Sequence, residues 1–414
     1  MLKRIAVTEL RLGMYVHELC GSWMDHPFWR SSFMLKSPHD LEQLRNSEVT
    51  EAWIDTSKGR DVAPDKPSIT PQQVEAQTQA CLLSVQNSAP APVAVSFAKE
   101  LNRARKLCIK SRDAVADMFN DARMGKAIES ETVDALVGEI YSSVVRNSHA
   151  LITIARLKSA DEYTYMHSVA VCALMISLAR ELKLPEEMIR EAGAAGLLHD
   201  IGKLAIPDDI LNKPGRLTDA EFERVRQHPL AGYALLNETG QASPHVLDVC
   251  LHHHEKYDGS GYPKRLAGED ISLLSRMGAV CDVYDAITSN RPYKAGWDPA
   301  ESIRKMAEWT GHFDTRVFHA FVKLVGIYPI GALVRLSSGR LGVVVEQHTK
   351  SLLTPRVKVF FSARSRMPLA QESVDLSKPG GEKIVGRECP DEWGFRNLEE
   401  LWLEAPAMVG GRLA

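Results

Sequence analysis

Residues able to bind metal ions are concentrated in one part of this 414-residue chain. Seven of its 14 histidines fall between residues 167 and 254, an excess that calls for a chemical reason. The candidate ligands are imidazoles and carboxylates with no cysteine among them, a donor set that suits iron, manganese, zinc or nickel. They are His167, His199, Asp200, His228, His252, His253, His254 and Asp282.

The adjacent pair His199-Asp200 predicts a shared metal site. Neighbouring residues on a helix point about 100° apart, so Asp200 could bridge two ions while His199 serves one. The remaining ligands would come from separate helices that face the interior of a bundle, a usual place for a two-metal centre.

Each of these features also has a simpler explanation when taken alone. A single histidine such as His167 or His228 is more often a packed or surface residue than a ligand. The run His252–His254 could be a surface tract with incidental metal affinity. The functional interpretation rests on the combination of three segments, HDIGK (199–203), HHEKYDGSGYP (253–263) and DVYDAITSNRPYK (282–294).

Helices must position most of these side chains. From Glu129 to about Val325 the apolar residues recur at helical spacing, as in HSVAVCALMISLARELKL and SLLSRMGAVCDVYDAIT. The segment DAEFERVRQHPLAGYALL predicts a further helix, which Thr218 could cap. The segment HDIGK is likewise expected within a helix.

Smaller elements flank this helical region. Residues 1 to about 60 predict an α+β module, in which a short helix lies near 40–45, and prolines at 64, 67 and 71 mark a linker. An amphipathic helix is predicted from Phe97 to about Ala127. After Tyr328-Pro329, a hairpin around Ser338-Gly339 and a third strand, RVKVFFS, predict a β appendage. The last 40 residues suggest loops and a short helix near 398–403.

The fold class that follows is mostly α. We predict a central all-helical bundle, a small α+β N-terminal module and a small β C-terminal appendage. The predicted boundaries are 1–96 for the N-terminal module, 97–128 for the linking helix, 129–328 for the metal-binding domain and 329–414 for the C-terminal extension.

The three metal-site segments resemble a known family. HDIGK resembles the core of the HD phosphohydrolase superfamily, and the other two segments resemble its HD-GYP subfamily, over about residues 130–330. The segment LRLGMYVHELCGSWMDHPFWRSSF resembles an N-terminal domain of unknown function that is often fused to HD-GYP domains. The resemblance implies a phosphodiesterase that hydrolyses cyclic di-GMP to pGpG, and often onward to GMP, and so favours motility over biofilm formation.

The same resemblance implies the site residues. The metal ligands would be His167, His199, Asp200, His228, His253, His254 and Asp282. His252 is the spare member of its run, because the family places its histidine pair directly before a glutamate, here Glu255. Two divalent ions are expected, with iron or manganese favoured and magnesium, nickel or zinc also allowed. Asp200 and Lys203 would be the catalytic residues.

Substrate contacts are expected from Asp161, Lys203, Tyr262, Asp285, Arg291 and Lys294. Arg291 and Lys294 could hold phosphate oxygens, or they could cap the helix that ends near Thr288. Asp285 could orient one of these two cations or support a metal ligand.

A third metal is not expected. Some family members bind it through a glutamate one turn before the first histidine, and this chain has Tyr163 there. A neutral phenol is a poor ligand, and Glu162 is displaced by about 100° on the helix.

Composition excludes several other classes. A net charge of −3 gives no reason to expect a partner that is a nucleic acid polymer, and no apolar run is long enough to span a membrane. Seven scattered cysteines without a C-x-x-C motif predict reduced thiols and a cytoplasmic location. Two alternative functions remain: a cyclic di-GMP receptor with slow turnover, and a phosphohydrolase acting on another nucleotide. The native metal, the input signal and the oligomeric state are open, as are a homodimer and a diguanylate-cyclase-type partner.

Overall fold

The structure is a computed structural model. It describes residues 1–21, 32–47, 49–84, 95–156, 163–211, 213, 217–289, 296–348, 351–378 and 380–403. The side chains of residues 98, 163 and 239 lie outside this description.

The N-terminal module is a four-stranded antiparallel sheet with one short helix. Its elements are β1 (Leu2–Ala6), β2 (Tyr15–Leu19), β3 (Phe33–Met34), α1 (Pro38–Asn46) and β4 (Glu51–Asp55), and the strand order is β1-β4-β2-β3. Ile5, Val16 and Ile54 are fully or almost fully buried between the sheet and its own loops and helix. Helix α1 begins at Pro38 because the Ser37 hydroxyl accepts a hydrogen bond from the Asp40 amide. The predicted α+β module is therefore present.

Twelve helices lie between this sheet and the C-terminal strands in the described part of the chain. They are α2 (Pro71–Ser84), α3 (Phe97–Arg123), α4 (Ser130–Arg156), α5 (Tyr163–Glu181), α6 (Glu186–Leu198), α7 (Asp208–Leu211), α8 (Asp219–Val225), α9 (His228–Thr239), α10 (Pro244–His252), α11 (Leu273–Thr288), α12 (Pro299–Glu308) and α13 (Thr315–Val325).

Helix α5 is the centre of the bundle. Its residues from Met166 to Ala179 are all buried, and the helix packs against α3, α4, α6, α11 and α13. A helix that is apolar on all sides is stable only when other helices surround it. The long helix α3 packs on α4 and contributes to the same hydrophobic core, so it lies against the bundle along its length.

Two local predictions about helices were wrong in detail. The segment from Asp219 to Leu236 forms two helices, because Pro229 has no amide hydrogen and its ring would clash with the carbonyl of Val225, where α8 ends. HDIGK lies after the end of α6, in a turn that continues as a 3-10 helix at Ile201–Ala205. The predicted cap by Thr218 is confirmed, since Thr218 and Glu221 form a capping box.

The C-terminal appendage is a five-stranded antiparallel sheet. Its strands are β5 (Leu333–Leu336), β6 (Arg340–His348), β7 (Ser351–Ser362), β8 (Met367–Asp375) and β9 (Ile384–Arg387), in the order β8-β7-β6-β5-β9, followed by α14 (Pro390–Trp393). The predicted hairpin and third strand are present, and a 3-10 turn occupies Leu398–Leu401. Strands β8 and β9 were not predicted, because β8 is largely exposed and β9 is only four residues long, so neither shows a clear apolar alternation.

Helix α12 contacts both flanking modules. The guanidinium of Arg4, which is 4% exposed, donates to the Glu308 carbonyl at 3.0 Å, and Lys305 pairs with Glu18 at 2.8 Å. At the other end of α12, Arg387 donates to the Ala300 carbonyl at 3.0 Å. Helix α12 therefore connects the N-terminal sheet to the C-terminal sheet. None of the helices in the described ranges combines the length and hydropathy needed to cross a bilayer.

Candidate metal centre

Five helices bring the predicted ligands to one place in the bundle. His167 is on α5, Asp282 is on α11, and the others lie at helix ends: His199 and Asp200 after α6, His228 at the start of α9, and His253 and His254 after α10. All are buried except His254, which is half-buried. All seven predicted ligands thus meet in the interior.

One group of ligands forms around Asp282. The Nε2 atom of His167 lies 3.0 Å from Asp282 Oδ1, and the Nε2 atom of His199 lies 3.8 Å from the same oxygen. These three side chains offer donor atoms that lie within 4.8 Å of one another. The spacing suits three ligands around a single ion.

A second group is formed by three histidines. The Nε2 atoms of His228 and His253 are 3.2 Å apart, and His254 completes a set whose donor atoms also lie within 4.8 Å of one another. Three imidazoles are a common set of ligands for a divalent transition metal.

Asp200 lies between the two groups. Its Oδ2 atom is 3.4 Å from the Nε2 atoms of both His167 and His199. Its Oδ1 atom is 3.2 Å from His228 Nε2 and 3.8 Å from His253 Nε2. One carboxylate therefore faces both groups with a different oxygen, which is the geometry of a bridging ligand.

Local structure fixes the orientation of the imidazoles. The Nδ1 atom of His199 lies 2.8 Å from the Gly196 carbonyl, and Nδ1 of His253 lies 3.0 Å from the Val249 carbonyl. When Nδ1 carries the hydrogen and donates it outward, the unprotonated Nε2 faces the site.

The break between α8 and α9 performs the same task for His228. Because Pro229 has no amide hydrogen to continue the helix, the Val225 carbonyl is available for another contact. It lies 2.8 Å from His228 Nδ1. Gly202 permits this close packing, since a Cβ atom there would lie 1.9 Å from the His228 carbonyl oxygen. The position of this predicted metal ligand therefore depends on a proline and a glycine.

His167 has an acidic partner. Its Nδ1 atom lies 2.6 Å from Asp285 Oδ2, and Asp285 is 2% exposed. Of the two roles left open for Asp285, this contact favours support of a metal ligand. A carboxylate in that position fixes the ring and increases the basicity of the coordinating nitrogen.

The charges of the site match those that cations require. Burial opposes ionisation of Asp200, but Lys203 and His199 hold its pKa well below the usual range. Burial also opposes the charged form of Asp282, yet His167 and His199 lower its pKa well below normal. Burial and the neighbouring imidazoles lower the pKa of His253 to about 3. The carboxylates are ionised and His253 is neutral, which are the states that bind metal ions.

His199 shows what the same carboxylates do to an imidazole. Burial opposes its protonation, but Asp200 and Asp282 outweigh this effect and raise the pKa of His199 to about 10. A protonated imidazole supplies here the positive charge that a cation would supply between the two carboxylates.

The residues fit a metal centre on independent grounds. Three buried polar atoms, His199 Nε2, Asp200 Oδ1 and Asp282 Oδ2, make no hydrogen bond in the described structure, although buried polar atoms are normally paired. All three face the site. Nitrogen and oxygen donors without sulfur suit iron, manganese, zinc or nickel.

Lys203 and His252 occupy the places expected of them. The ammonium group of Lys203 contacts Asp200 Oδ2, and its side chain is 22% exposed, so Lys203 lies at the edge of the site. His252 Nδ1 lies 3.0 Å from Asp248 Oδ1, and the residue belongs to neither ligand group. Helix α10 ends at His252, and the following turn separates His253 from His254.

Two further residues shape the site and were missed. The guanidinium of Arg226 lies 4.5 Å from the ring centre of Tyr262, and that ring stacks on His254 at 4.8 Å. The buried carboxylate of Glu255 accepts hydrogen bonds from the amides of Lys264 and Leu266 at 2.7 and 3.1 Å, which holds the loop that carries Tyr262. Glu255 stood inside the recognised motif, whereas Arg226 had no signal beyond lying two residues before His228.

Three predicted substrate residues are not placed. Asp161, Arg291 and Lys294 lie outside the described residues, as does the side chain of Tyr163. Their predicted roles stay predictions.

Comparison with family models identifies two regions. Residues 149–317 match a model described as an HD domain, and residues 2–133 match a domain of unknown function (DUF3391).

Relatives with known names include several cyclic dinucleotide phosphodiesterases. A cyclic di-GMP phosphodiesterase of Pseudomonas aeruginosa is 60% identical over 404 residues, which cover 97% of this chain and 96% of that protein. A cyclic di-GMP phosphodiesterase response regulator of Xanthomonas campestris is 41% identical over 177 residues, 41% of this chain and 47% of that protein. The 3'3'-cGAMP-specific phosphodiesterase 1 of Vibrio cholerae is 37% identical over 179 residues, 42% and 41% of the two chains.

Among solved structures, an HDG"Y"P protein from Bdellovibrio bacteriovorus is similar with a TM-score of 0.46 and 16% identity. The match covers 78% of this chain and 98% of that one.

Proposed function

The chain belongs to the family of cyclic di-GMP phosphodiesterases that carry an HD domain, and on this premise we propose how its residues hydrolyse that substrate. The enzyme is a metal-dependent phosphodiesterase acting on cyclic di-GMP. The position of Asp200 between two groups of imidazole and carboxylate donors is the observation that carries the proposal.

We propose that two divalent ions bind. His167, His199 and Asp282 would hold one, and His228, His253 and His254 the other, with Asp200 shared. When bound, such a pair supplies Lewis acidity toward phosphoryl oxygens and a nucleophile at neutral pH. Iron and manganese are favoured, because the donor set lacks the thiolates typical of structural zinc sites. Tyr163 in place of a third-metal glutamate supports a count of two.

Lys203 is proposed to hold the substrate phosphate. Its ammonium group contacts Asp200, the residue that both ligand groups share, and so lies next to the reacting position. A lysine there can donate to a phosphoryl oxygen or stabilise the leaving oxygen as negative charge develops. Asp161, Arg291 and Lys294 are proposed to contribute further substrate contacts.

Tyr262 and Arg226 are proposed to form the wall beside His254. Their stacked arrangement gives the substrate an aromatic surface and a guanidinium next to a metal ligand. An arginine can bind either a phosphate or the O6 and N7 acceptors of guanine. Glu255 fixes this wall, because its carboxylate accepts hydrogen bonds from two amides of the loop that carries Tyr262.

The products and cellular role follow from this chemistry. Hydrolysis of one phosphodiester bond gives linear pGpG, and hydrolysis of the second gives GMP. The resulting fall in cyclic di-GMP is proposed to favour motility over biofilm formation. We place the enzyme in the cytoplasm, an assignment supported by its seven cysteines, all of which are free thiols.

The proposal is tested with protein purified without oxygen. Cyclic di-GMP is incubated with the enzyme and Mn²⁺, Fe²⁺ or excess chelator, and the products are separated by chromatography. We expect pGpG, with or without GMP, only when metal is present, and two metals per chain by elemental analysis.

The Asp200→Ala variant should lose both metals and all turnover, because Asp200 is the carboxylate whose two oxygens face the two ligand groups. The matched control is Asp248→Ala. It removes the aspartate that contacts His252 and that belongs to neither ligand group. Tight binding of cyclic di-GMP without turnover under every metal condition would instead identify a receptor. Faster hydrolysis of 3'3'-cGAMP would reassign the substrate.

A further inference from the structure

Helix α3 carries a stripe of charged side chains along its exposed face. At about 100° per residue, the positions concerned fall within an arc of about 80° on the side opposite the buried residues Ala104, Cys108 and Val115. The stripe runs over about 33 Å of helix. It consists of Lys99, Arg103, Lys106, Lys110, Asp113, Asp117 and Asp121, all exposed.

The two signs of charge are separated along this stripe. From Lys99 to Lys110 the exposed charges are all positive, since the single acid in that span, Glu100, is buried and paired with Arg146. From Asp113 to Asp121 the exposed charges are all negative. The N-terminal half of the stripe is basic and the C-terminal half is acidic.

This order does not serve the stability of the helix itself. A helix dipole favours carboxylates near the N-terminus and cations near the C-terminus. Within the stripe, Lys99 lies in the first turn and Asp121 in the last turn, which is the reverse of this preference, while Glu100 and Arg123 beside them follow it. Four of the seven stripe residues form ion pairs within the chain: Arg103 with Glu100, Lys110 with Glu139 of α4, Asp113 with Arg112 and Asp121 with Lys126. A partner surface that carries the opposite order of charges would explain the separation better than the helix dipole or the ion pairs within the chain.

The geometry points to a second copy of this chain as that partner. A twofold interface must be self-complementary, because the same surface contributes to both sides. If two α3 helices lie antiparallel with the axis near residue 110, Lys99 faces Asp121 of the partner and Arg103 faces Asp117. Lys106 then lies opposite Asp113. These three pairs occur twice, once on each side of the axis, and Lys110, which pairs with Glu139 of its own chain, lies at the axis itself.

Ile109, which is 50% exposed, lies near this axis but about 40° outside the arc of the stripe. It therefore flanks the proposed interface, whose centre is formed by charged side chains. Exposed ion pairs contribute little individually and are screened over about 8 Å at 0.15 M salt, so the dimer should be reversible and sensitive to ionic strength.

Sedimentation of the full metal-loaded chain at several salt concentrations tests the inference. The wild type should dimerise at 50 mM NaCl, and its dissociation constant should rise by about tenfold or more at 500 mM. K99E/K106E makes the face largely acidic and D113K/D121K makes it largely basic, so each should be monomeric alone. The two variants mixed should form a heterodimer, and the quadruple variant K99E/K106E/D113K/D121K should dimerise again.

Circular dichroism confirms that each variant is folded. Cyclic di-GMP turnover per metal centre should stay unchanged, because none of the α3 side chains that the structure describes belongs to either ligand group. A monomeric wild type at 200 µM and low salt would overturn the inference. Failure of the two single-sign variants to associate when mixed, or unaltered dimers in both, would do so equally, and neither result bears on the catalytic proposal.

Discussion

At the scale of single residues, three consecutive histidines have three different environments. His253 faces Asp200, His254 stacks on Tyr262, and His252 is held by Asp248 away from both ligand groups. A sequence motif could select the correct two, because the family pair directly precedes a glutamate. Periodicity alone could not, since adjacent residues on a helix point about 100° apart and α10 ends within this run of histidines.

His253→Ala and His254→Ala should therefore each lower turnover by more than about a hundredfold, while His252→Ala should change it by less than about threefold. Steady-state kinetics and metal content of the three variants provide the measurement, and they serve as controls for one another. If His252→Ala proved the most damaging, the assignment of ligands would be displaced by one residue.

Asp285 was predicted to contact substrate or to support a ligand, and its contact with His167 separates these roles. Asp285→Asn should weaken metal binding by about 10- to 100-fold, because His167 loses the carboxylate that orients it. Added Mn²⁺ should then restore much of the activity, with KM for cyclic di-GMP close to normal. A raised KM at unchanged metal affinity would return Asp285 to the substrate-binding role.

At the scale of elements, the helices could be predicted where apolar residues recur over several turns, as in α5 and α11. Their ends were harder to predict. The break between α8 and α9 depends on Pro229, and the turn after α6 depends on how close Gly202 lies to α9. These two interruptions place His228 and His199, so the least regular parts of the bundle position its chemistry. Contacts of this kind join distant residues and leave no periodic trace in the sequence.

Helix α12 is capped by Asp298, whose carboxylate accepts hydrogen bonds from the amides of Ala300 and Glu301 at 2.9 and 3.0 Å. Burial raises the pKa of Asp298 to about 6, against the opposing effect of these bonds. Between the unfolded pKa near 3.8 and this value, the native state binds more protons than the unfolded state. The free energy of unfolding of the native chain therefore falls as pH rises through this window.

Asp298→Asn keeps the helix cap but has no carboxyl group to titrate. Its free energy of unfolding should therefore not fall through this pH window. Relative to the wild type, its free energy of unfolding should rise by about 1–2 kcal/mol from pH 4 to pH 7, after allowance for partial exposure of the group. Urea unfolding at both pH values measures the difference. Asp298→Ala, which also removes the cap, should be less stable than Asp298→Asn at each pH. A difference independent of pH would show that the carboxyl group is not perturbed.

At the scale of the whole molecule, the packing of the N-terminal sheet on the helical bundle could not be predicted, because the contacts join residues about 300 positions apart. Arg4 is the clearest case, since it is buried beside Glu51 and reaches the Glu308 carbonyl. The predicted boundaries gave no indication that α12 would contact both the N-terminal and the C-terminal sheet.

Arg4→Met should lower the free energy of unfolding by about 1–3 kcal/mol, because Glu51 would lose its neighbouring positive charge and the Glu308 carbonyl its donor. Lys3→Met on the same strand is the control, since Lys3 pairs with Asp61 at the surface and such pairs are worth less than about 1 kcal/mol. Thermal unfolding and limited proteolysis between the sheet and α3 measure both variants. Equal behaviour of the two would remove Arg4 from the docking contact.

The contact between Arg4 and α12 also has a consequence during protein synthesis. The four strands of the N-terminal sheet are complete at residue 55, and they can pair as soon as they leave the ribosome. Their docking partner, Glu308, is added roughly 250 residues later, which at ribosomal speed is a delay of some tens of seconds. A sheet face that stays exposed to water for this time is less prone to aggregate when it is polar. The charged residues Arg4, Glu18 and Glu51 at this junction meet that requirement. An apolar docking face would instead expose a hydrophobic surface to other nascent chains throughout the delay.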